Sequence, residues 1–174
     1  MKTFFGRTFI PAALVILIAL GGIGLFFQYH TNRTMEQRTL NQLAACSETL
    51  SRLAVAYDQE SNPDFSDFLI NLSVAAEVAE AQIQLCSPDG HLVLCSDAPT
   101  GCKHQGMQLD SEYLDRVTRE GFLSHTGQVK GIYKEVRHVV SKTVYDKHGH
   151  LLGIVVVSAP STAAEKAIDR KSVV

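Results

Sequence analysis

The chain has 174 residues, 45% hydrophobic and 20% charged, with 16 basic against 18 acidic side chains and a formal net charge of −2. That balance excludes a basic nucleic-acid-binding stripe and a polybasic or acidic tail, and hydrophobicity this high excludes a disordered chain. With only 4 Cys it is no disulfide-scaffold miniprotein, and its length suits a single domain.

The apolar residues are concentrated early. From Thr8 to Asn32 there is no Asp, Glu, Lys or Arg, and the 19 residues from Phe9 to Phe27 are all apolar, Gly or Pro. A helix needs about 20 residues to cross the hydrocarbon core. Residues 9–29 are therefore read as a transmembrane helix. Lys2 and Arg7 precede it without an acid, which places residues 1–8 in the cytoplasm and residues 30–174 outside. A cleaved signal peptide is the alternative, but the apolar core is long for one, and Phe26-Phe27-Gln28-Tyr29 lacks the small residues of a cleavage site.

Residues 31–60 contain no Gly or Pro and read as one helix leaving the membrane. Glu36, Leu40, Leu43, Ser47, Leu50, Ala54 and Tyr57 recur at spacings of four and three. This seam either packs on the protein's own sheet or forms a parallel homodimer. After a polar break, Phe65, Phe68, Leu69, Leu72, Ala75, Ala76 and Ala79 predict a second helix over 64–80, started by Asp64. Ala81–Cys86 and His91–Cys95 form a hairpin around Ser87-Pro88-Asp89-Gly90. Residues 96–108 are a loop, and 109–120 a short helix capped by Asp110 and stopped by Gly121. Residues 122–131 read as irregular, apart from a short strand near Phe122.

Ile132–Tyr145 predicts a long strand, and Leu151–Ser158, the most apolar run, the central one. Thr162 with Glu165 reads as a capping box opening a last helix over 162–171. The class is α+β: an N-terminal transmembrane helix continuing into a long helix packed on an antiparallel sheet, with helices on one face. No phosphate-binding loop, dinucleotide fingerprint, nucleophile elbow or zincin motif is present. The chain is read as lacking a catalytic domain, and no cofactor is assigned.

The stretch Gly131-Ile132-Tyr133-Lys134-Glu135-Val136-Arg137-His138-Val139-Val140, followed by Tyr145-Asp146-Lys147-His148-Gly149-His150-Leu151-Leu152-Gly153-Ile154-Val155-Val156-Val157-Ser158, resembles the end of a PAS-like extracytoplasmic sensor domain of the Cache type. It is similar to those of bacterial two-component sensor histidine kinases, clostridial ones in particular, and the order of elements from residue 9 onward is similar too. The resemblance implies a sensor domain over 30–160 and residues 161–174 leading toward a second membrane span. It also implies HAMP and kinase regions, which are not in this chain.

Along Ile132–Tyr145, Val136, Val140 and Val144 form the face turned to the long helix. The other face carries Tyr133, Glu135, Arg137, Val139, Ser141, Thr143 and Tyr145. It is either a solvated face or a pocket for an unknown small molecule. In the pocket reading Arg137 clamps a carboxylate, and Tyr133 or Tyr145 stacks or donates. Cys86, Cys95 and Cys102 are disulfide candidates, Cys95–Cys102 first, since oxidation is permitted outside the cell. No metal site is assigned, because Cys95, Cys102 and His104 are spaced seven and two apart, unlike common zinc patterns. Free thiols remain the third possibility.

The expected partners are membrane lipid, a second copy through the long helix, and a small-molecule ligand, with no nucleic acid. Two rivals stand beside the sensor. A pilin-like structural subunit would also have an N-terminal apolar helix, but Pro11 stands where that family carries Glu. A membrane-anchored thiol or metal enzyme would need a reactive Cys beside a base, for which only Cys102 with His104 qualifies.

Overall fold

The computed structural model describes residues 3–59, 65–97, 102, 104 and 106–161, of which 3–12, 32 and 65 by backbone alone. The chain divides into two compact units, Met1–Arg38 and Thr39–Val174. The first consists of the N-terminal part of helix α1, Thr3–Asp58. Its described side chains are bare: Leu17, Leu25 and Phe27 are 71%, 72% and 71% exposed. The mean hydropathy reaches 1.8 over 18 residues, so the helix is long and apolar enough to cross a membrane. An apolar surface on all sides suits lipid rather than water.

The second unit is a five-stranded antiparallel sheet with helical cover. The elements after α1 are α2 (Phe65–Val78), β1 (Gln82–Cys86), β2 (Leu92–Cys95), α3 (Ser111–Glu120), β3 (Phe122–Gly127), β4 (Arg137–Tyr145) and β5 (Leu151–Pro160). Their order across the sheet is β2-β1-β5-β4-β3. The apolar run of β5 is the central strand, as expected: Ile154 to Val157 are all 0% exposed. Strands covered on both faces carry continuous apolar runs. The sheet is not a string of neighbouring hairpins, since β1 pairs with β5 at the far end of the sequence.

The long-helix seam from Leu40 to Ala54 packs on the protein's own sheet. Leu43, Ser47 and Leu50 are buried, and with Leu72 and Ala76 of α2 they close over Ile83, Val140, Val144, Val155 and Val157. Lys142 reaches from the same face of β4 to pair with Glu48 of α1. Val136 does not join this face. It lies before β4 and is 42% exposed.

Helices on one face only was the expectation, and the structure corrects it. Leu109 and Val117, from α3 and the residue run before it, cover the opposite face together with Val129, Ile132 and Tyr133. There they meet Cys86, Val139, Ile154 and Val156, so this face is a second core rather than a wet surface. Asp110 precedes α3 but makes no side-chain cap bond; its backbone N–H goes to Lys130 O instead.

The expected long strand over 132–145 begins only at Arg137. Gly131 has φ +94 and presses on the Gln108 carbonyl, where a Cβ would collide. The chain then turns: the amides of Ile132 and Tyr133 both bond to Val129 O. A left-handed residue followed by a turn cannot extend a ladder. Conversely, 122–127 form a full strand, β3, paired with β4 from Phe122↔Lys142 to Gly127↔Arg137. The expected start at Asp64 and the expected helix over 162–171 lie outside the described residues.

Candidate functional site

Tyr133, Glu135 and Arg137 of the second face gather at the end of the sheet where β4 starts and β5 finishes, while Ser141 and Thr143 bond farther along β4 to Tyr113 and the Gly121 carbonyl. Arg137 and Tyr133 are 6% and 5% exposed. The guanidinium carbon lies 4.4 Å from the centroid of the Tyr133 ring, a cation–π contact. Arg137 Nε donates to Ser158 Oγ at 3.2 Å and Nη2 to the Ser158 carbonyl at 3.4 Å. Nη1 donates to Glu135 at 3.1 Å. Arg has five N–H groups, of which these bonds use three among the described residues. Gln84, wholly buried on β1, donates to the Tyr133 hydroxyl at 2.9 Å. That hydroxyl also hydrogen-bonds Ser158, while burial pushes its pKa up to about 12.

Beside this network lies a cavity of about 460 Å³, lined in part by Ser73, Gln82, Ser96, Asp97 and Arg137. Glu77 and Glu80 stand at its rim from the α2 end. Gln82 Nε2 donates to Asp97 at 3.2 Å. Its Oε1 is buried and, among the described residues, has no hydrogen-bond partner. Buried acceptors in folded proteins are nearly always paired, so a donor is wanted here. The cavity is thus lined by Arg137, by Gln82 with its orphan acceptor, and by the carboxylate residues Glu77, Glu80 and Asp97.

Of the three residues expected to bind ligand, the structure brings Arg137 and Tyr133 together and leaves Tyr145 apart. Tyr145 ends β4 at the opposite end from Arg137 and is 43% exposed. Its register breaks at Val144/Tyr145, which takes its side chain out of the alternation. The residues missed by sequence reasoning are Gln82, Gln84 and Ser158. Gln82 and Gln84 alternate with Ile83 and Leu85, a period-two signal that puts both amides on the Arg137 face.

A second cavity, about 390 Å³, is apolar and lies between the long helix and β1–β2. Tyr57 and Phe68 contribute to its wall, with ring centroids 4.7 Å apart.

Among the described residues no disulfide is formed, and all four cysteines are thiols. Cys86 and Cys95 share a sheet face on a diagonal, since Gln84 pairs with Cys95 and Cys86 with Leu92. Burial lifts Cys86 to about 12. Cys95 lies instead beside Cys102 and His104: their two Sγ atoms and a His104 ring nitrogen all fall within 4.8 Å of one another. His104 in turn meets the Tyr133 ring edge-on at 5.2 Å.

Similar folds occur among solved receptor domains. An extracellular ligand binding receptor from Desulfohalobium retbaense superposes with a TM-score of 0.57 at 13% identity, over 82% of this chain and 26% of that one. The ligand-binding domain of the Campylobacter jejuni chemoreceptor Tlp3, in complex with 4-methylisoleucine, gives 0.51 at 12% identity, over 78% of this chain and 62% of that one. The ligand-binding domain of the Pseudomonas aeruginosa amino acid chemoreceptor PctC, in complex with GABA, gives 0.51 at 14% identity, over 74% and 60%. The chain thus spans less than two thirds of each. No protein-family profile and no curated protein matches the sequence. The fold is the Cache/PAS-like α+β arrangement of bacterial ligand-binding domains.

Proposed function

We propose that this chain is the extracytoplasmic input region of a membrane-anchored two-component sensor histidine kinase, and that it binds a small zwitterion or carboxylate in the Arg137 cavity. The observation that carries the ligand reading is that Arg137 and Gln82, whose Oε1 is an orphan acceptor, line one cavity. A carboxylate would take the guanidinium edge, and an ammonium would satisfy Gln82 Oε1 near Asp97. The two chemoreceptor domains of similar fold, one in complex with 4-methylisoleucine and the other with GABA, support an amino-acid-like ligand. The apolar run of α1 supports a membrane anchor, and Lys2 and Arg7 before it favour residues 30–174 outside. Ligand acts only through a difference in affinity between two states of the domain. The kinase output rests on the resemblance of residues 131–158.

Binding is tested by thermal shift of the full chain in detergent micelles against a panel of amino and carboxylic acids. A saturable rise in melting temperature is expected for at least one member, lost in Arg137→Met. A ligand that still binds Arg137→Met with unchanged affinity refutes the site. Reading the gene beyond codon 174 tests the output. A second apolar span followed by kinase motifs is expected, and a different output domain contradicts the kinase.

A further inference from the structure

Beside the ligand cavity, three soft donors converge that the sensor reading does not use. Cys95 is buried at the end of β2, while Cys102 and His104 are half-buried in the run that follows it. Cys95 Sγ and His104 Nδ1 are 3.9 Å apart, and all three ligand atoms lie within 4.8 Å of one another. Tetrahedral zinc with Zn–S of about 2.3 Å and Zn–N of about 2.05 Å sets S···S near 3.8 Å and S···N near 3.6 Å. The Cys95–His104 distance is thus within about 0.3 Å of a coordinating pair on that geometry. A disulfide instead needs sulfurs about 2.05 Å apart and gives His104 no part.

The Asp97 backbone N–H bonds to Cys95 sulfur, as outer-shell amides do at metal-bound thiolates. The Tyr133 ring holds His104 edge-on, which fixes the imidazole plane. Sequence spacing conceals the site, because Cys95, Cys102 and His104 are seven and then two positions apart, unlike a short zinc knuckle.

We propose that Cys95, Cys102 and His104, the three ligands offered among the described residues, form a binding site for a soft, tetrahedral divalent cation of the zinc type. Each thiol releases its proton on binding, and the neutral imidazole donates through Nδ1.

The test uses the full chain, reduced and solubilised in detergent micelles, loaded with Zn²⁺ and desalted. Metal content and the reactivity of each thiol toward a maleimide are then read by mass spectrometry. One zinc per chain is expected, with Cys95 and Cys102 protected and Cys46 as reactive as before. Cys102→Ser and His104→Gln, both at half-buried positions, should each weaken retention at least about tenfold while leaving the melting temperature of the metal-free chain unchanged. Cobalt substitution should give a thiolate-to-metal charge-transfer band that shrinks in Cys102→Ser. Failure to retain zinc with both thiols reduced overturns the site. So does retention that neither variant alters, or isolation of Cys95 and Cys102 as a disulfide that survives under non-reducing purification. None of these readings involves the small-molecule ligand, so the site and the sensor proposal fail separately.

Discussion

Replacing Arg137 by Met separates recognition from folding. The guanidinium side chain is 7% exposed and makes three hydrogen bonds. Charge-assisted bonds contribute about 1.5–3 kcal/mol each at best, but those to Ser158, at 3.2 and 3.4 Å, are long. Glu135 is 47% exposed and returns to water when its partner goes, so that ion pair contributes little. Ser158 keeps its hydrogen bond with Tyr133. Loss of the cation–π contact removes about 0.5–2 kcal/mol. Against these stands the several kcal/mol that burying the cation costs, which Met does not incur. The balance puts Arg137→Met at about 1–2 kcal/mol, with Arg137→Ala about 2 kcal/mol worse for want of the buried stem. Urea unfolding of the full chain in micelles measures this by tyrosine fluorescence, since the chain has 5 Tyr and no Trp. Carboxylate binding should fall at least about tenfold in Arg137→Met, the loss of one charge-assisted pair. If Arg137→Met unfolds the domain outright, or binds as the parent does, the assignment of Arg137 to ligand rather than to architecture is wrong.

Other outcomes follow from the packing. Gly153→Ala drives a Cβ into the Cys86 carbonyl across the β1–β5 pair, and a loss of about 3 kcal/mol or failure to fold is expected; a melting temperature within a few degrees of the parent would contradict that close approach. Leu43→Ala opens the first core, where Leu43 is 1% exposed, at about 2–5 kcal/mol, read from the urea midpoint. Cys86 keeps its proton up to about 12 when folded but loses it near 9.0 when unfolded. Stability attributable to it is therefore full below pH 9 and falls by about 1.4 kcal/mol per unit above that until the folded thiol titrates. Comparing Cys86→Ala with the parent at pH 8 and pH 10 isolates that slope, and equal pH dependence in both would refute it. His125 runs the other way: burial depresses its pKa from 6.5, so stability is present above that value and declines as pH falls below it, a decline that His125→Phe should lessen in an acid titration.

What the sequence carried legibly was periodicity. The seam Leu40–Ala54 announced a helix, and the run Leu151–Ser158 announced the central strand, because core burial selects apolar residues at the spacing of the element. Its choice of partner was less legible: the same seam reads equally as a dimer face, and only the sheet beneath Leu43, Ser47 and Leu50 decides where those residues go. The start of β4 was missed because Ile132, Tyr133 and Val136 have strand-like side chains, whereas the backbone there is dictated by Gly131 against Gln108. At the site, Arg137 and Tyr133 were picked out as alternating residues of one strand, although Tyr133 lies in the turn before β4. Gln82 and Gln84 alternate on β1, but what joins them to Ser158 and Arg137 is the β1–β5–β4 register, which no local pattern carries. The turn pair Asp146–His150 was likewise hidden. His150 bonds Asp146 through both backbone and ring, and despite desolvation this holds the carboxyl at about 2.

A crystal structure of Thr39–Val174 held in its full chain, grown with whichever amino or carboxylic acid raises the melting temperature most, tests the central claim most directly. The account predicts that acid in the cavity beside α2 and β1, its carboxylate on the free edge of Arg137 and a donor on Gln82 Oε1. The same acid lodged in the apolar cavity near Tyr57 and Phe68, with the Arg137 guanidinium still bonded only to Ser158 and Glu135, would contradict it.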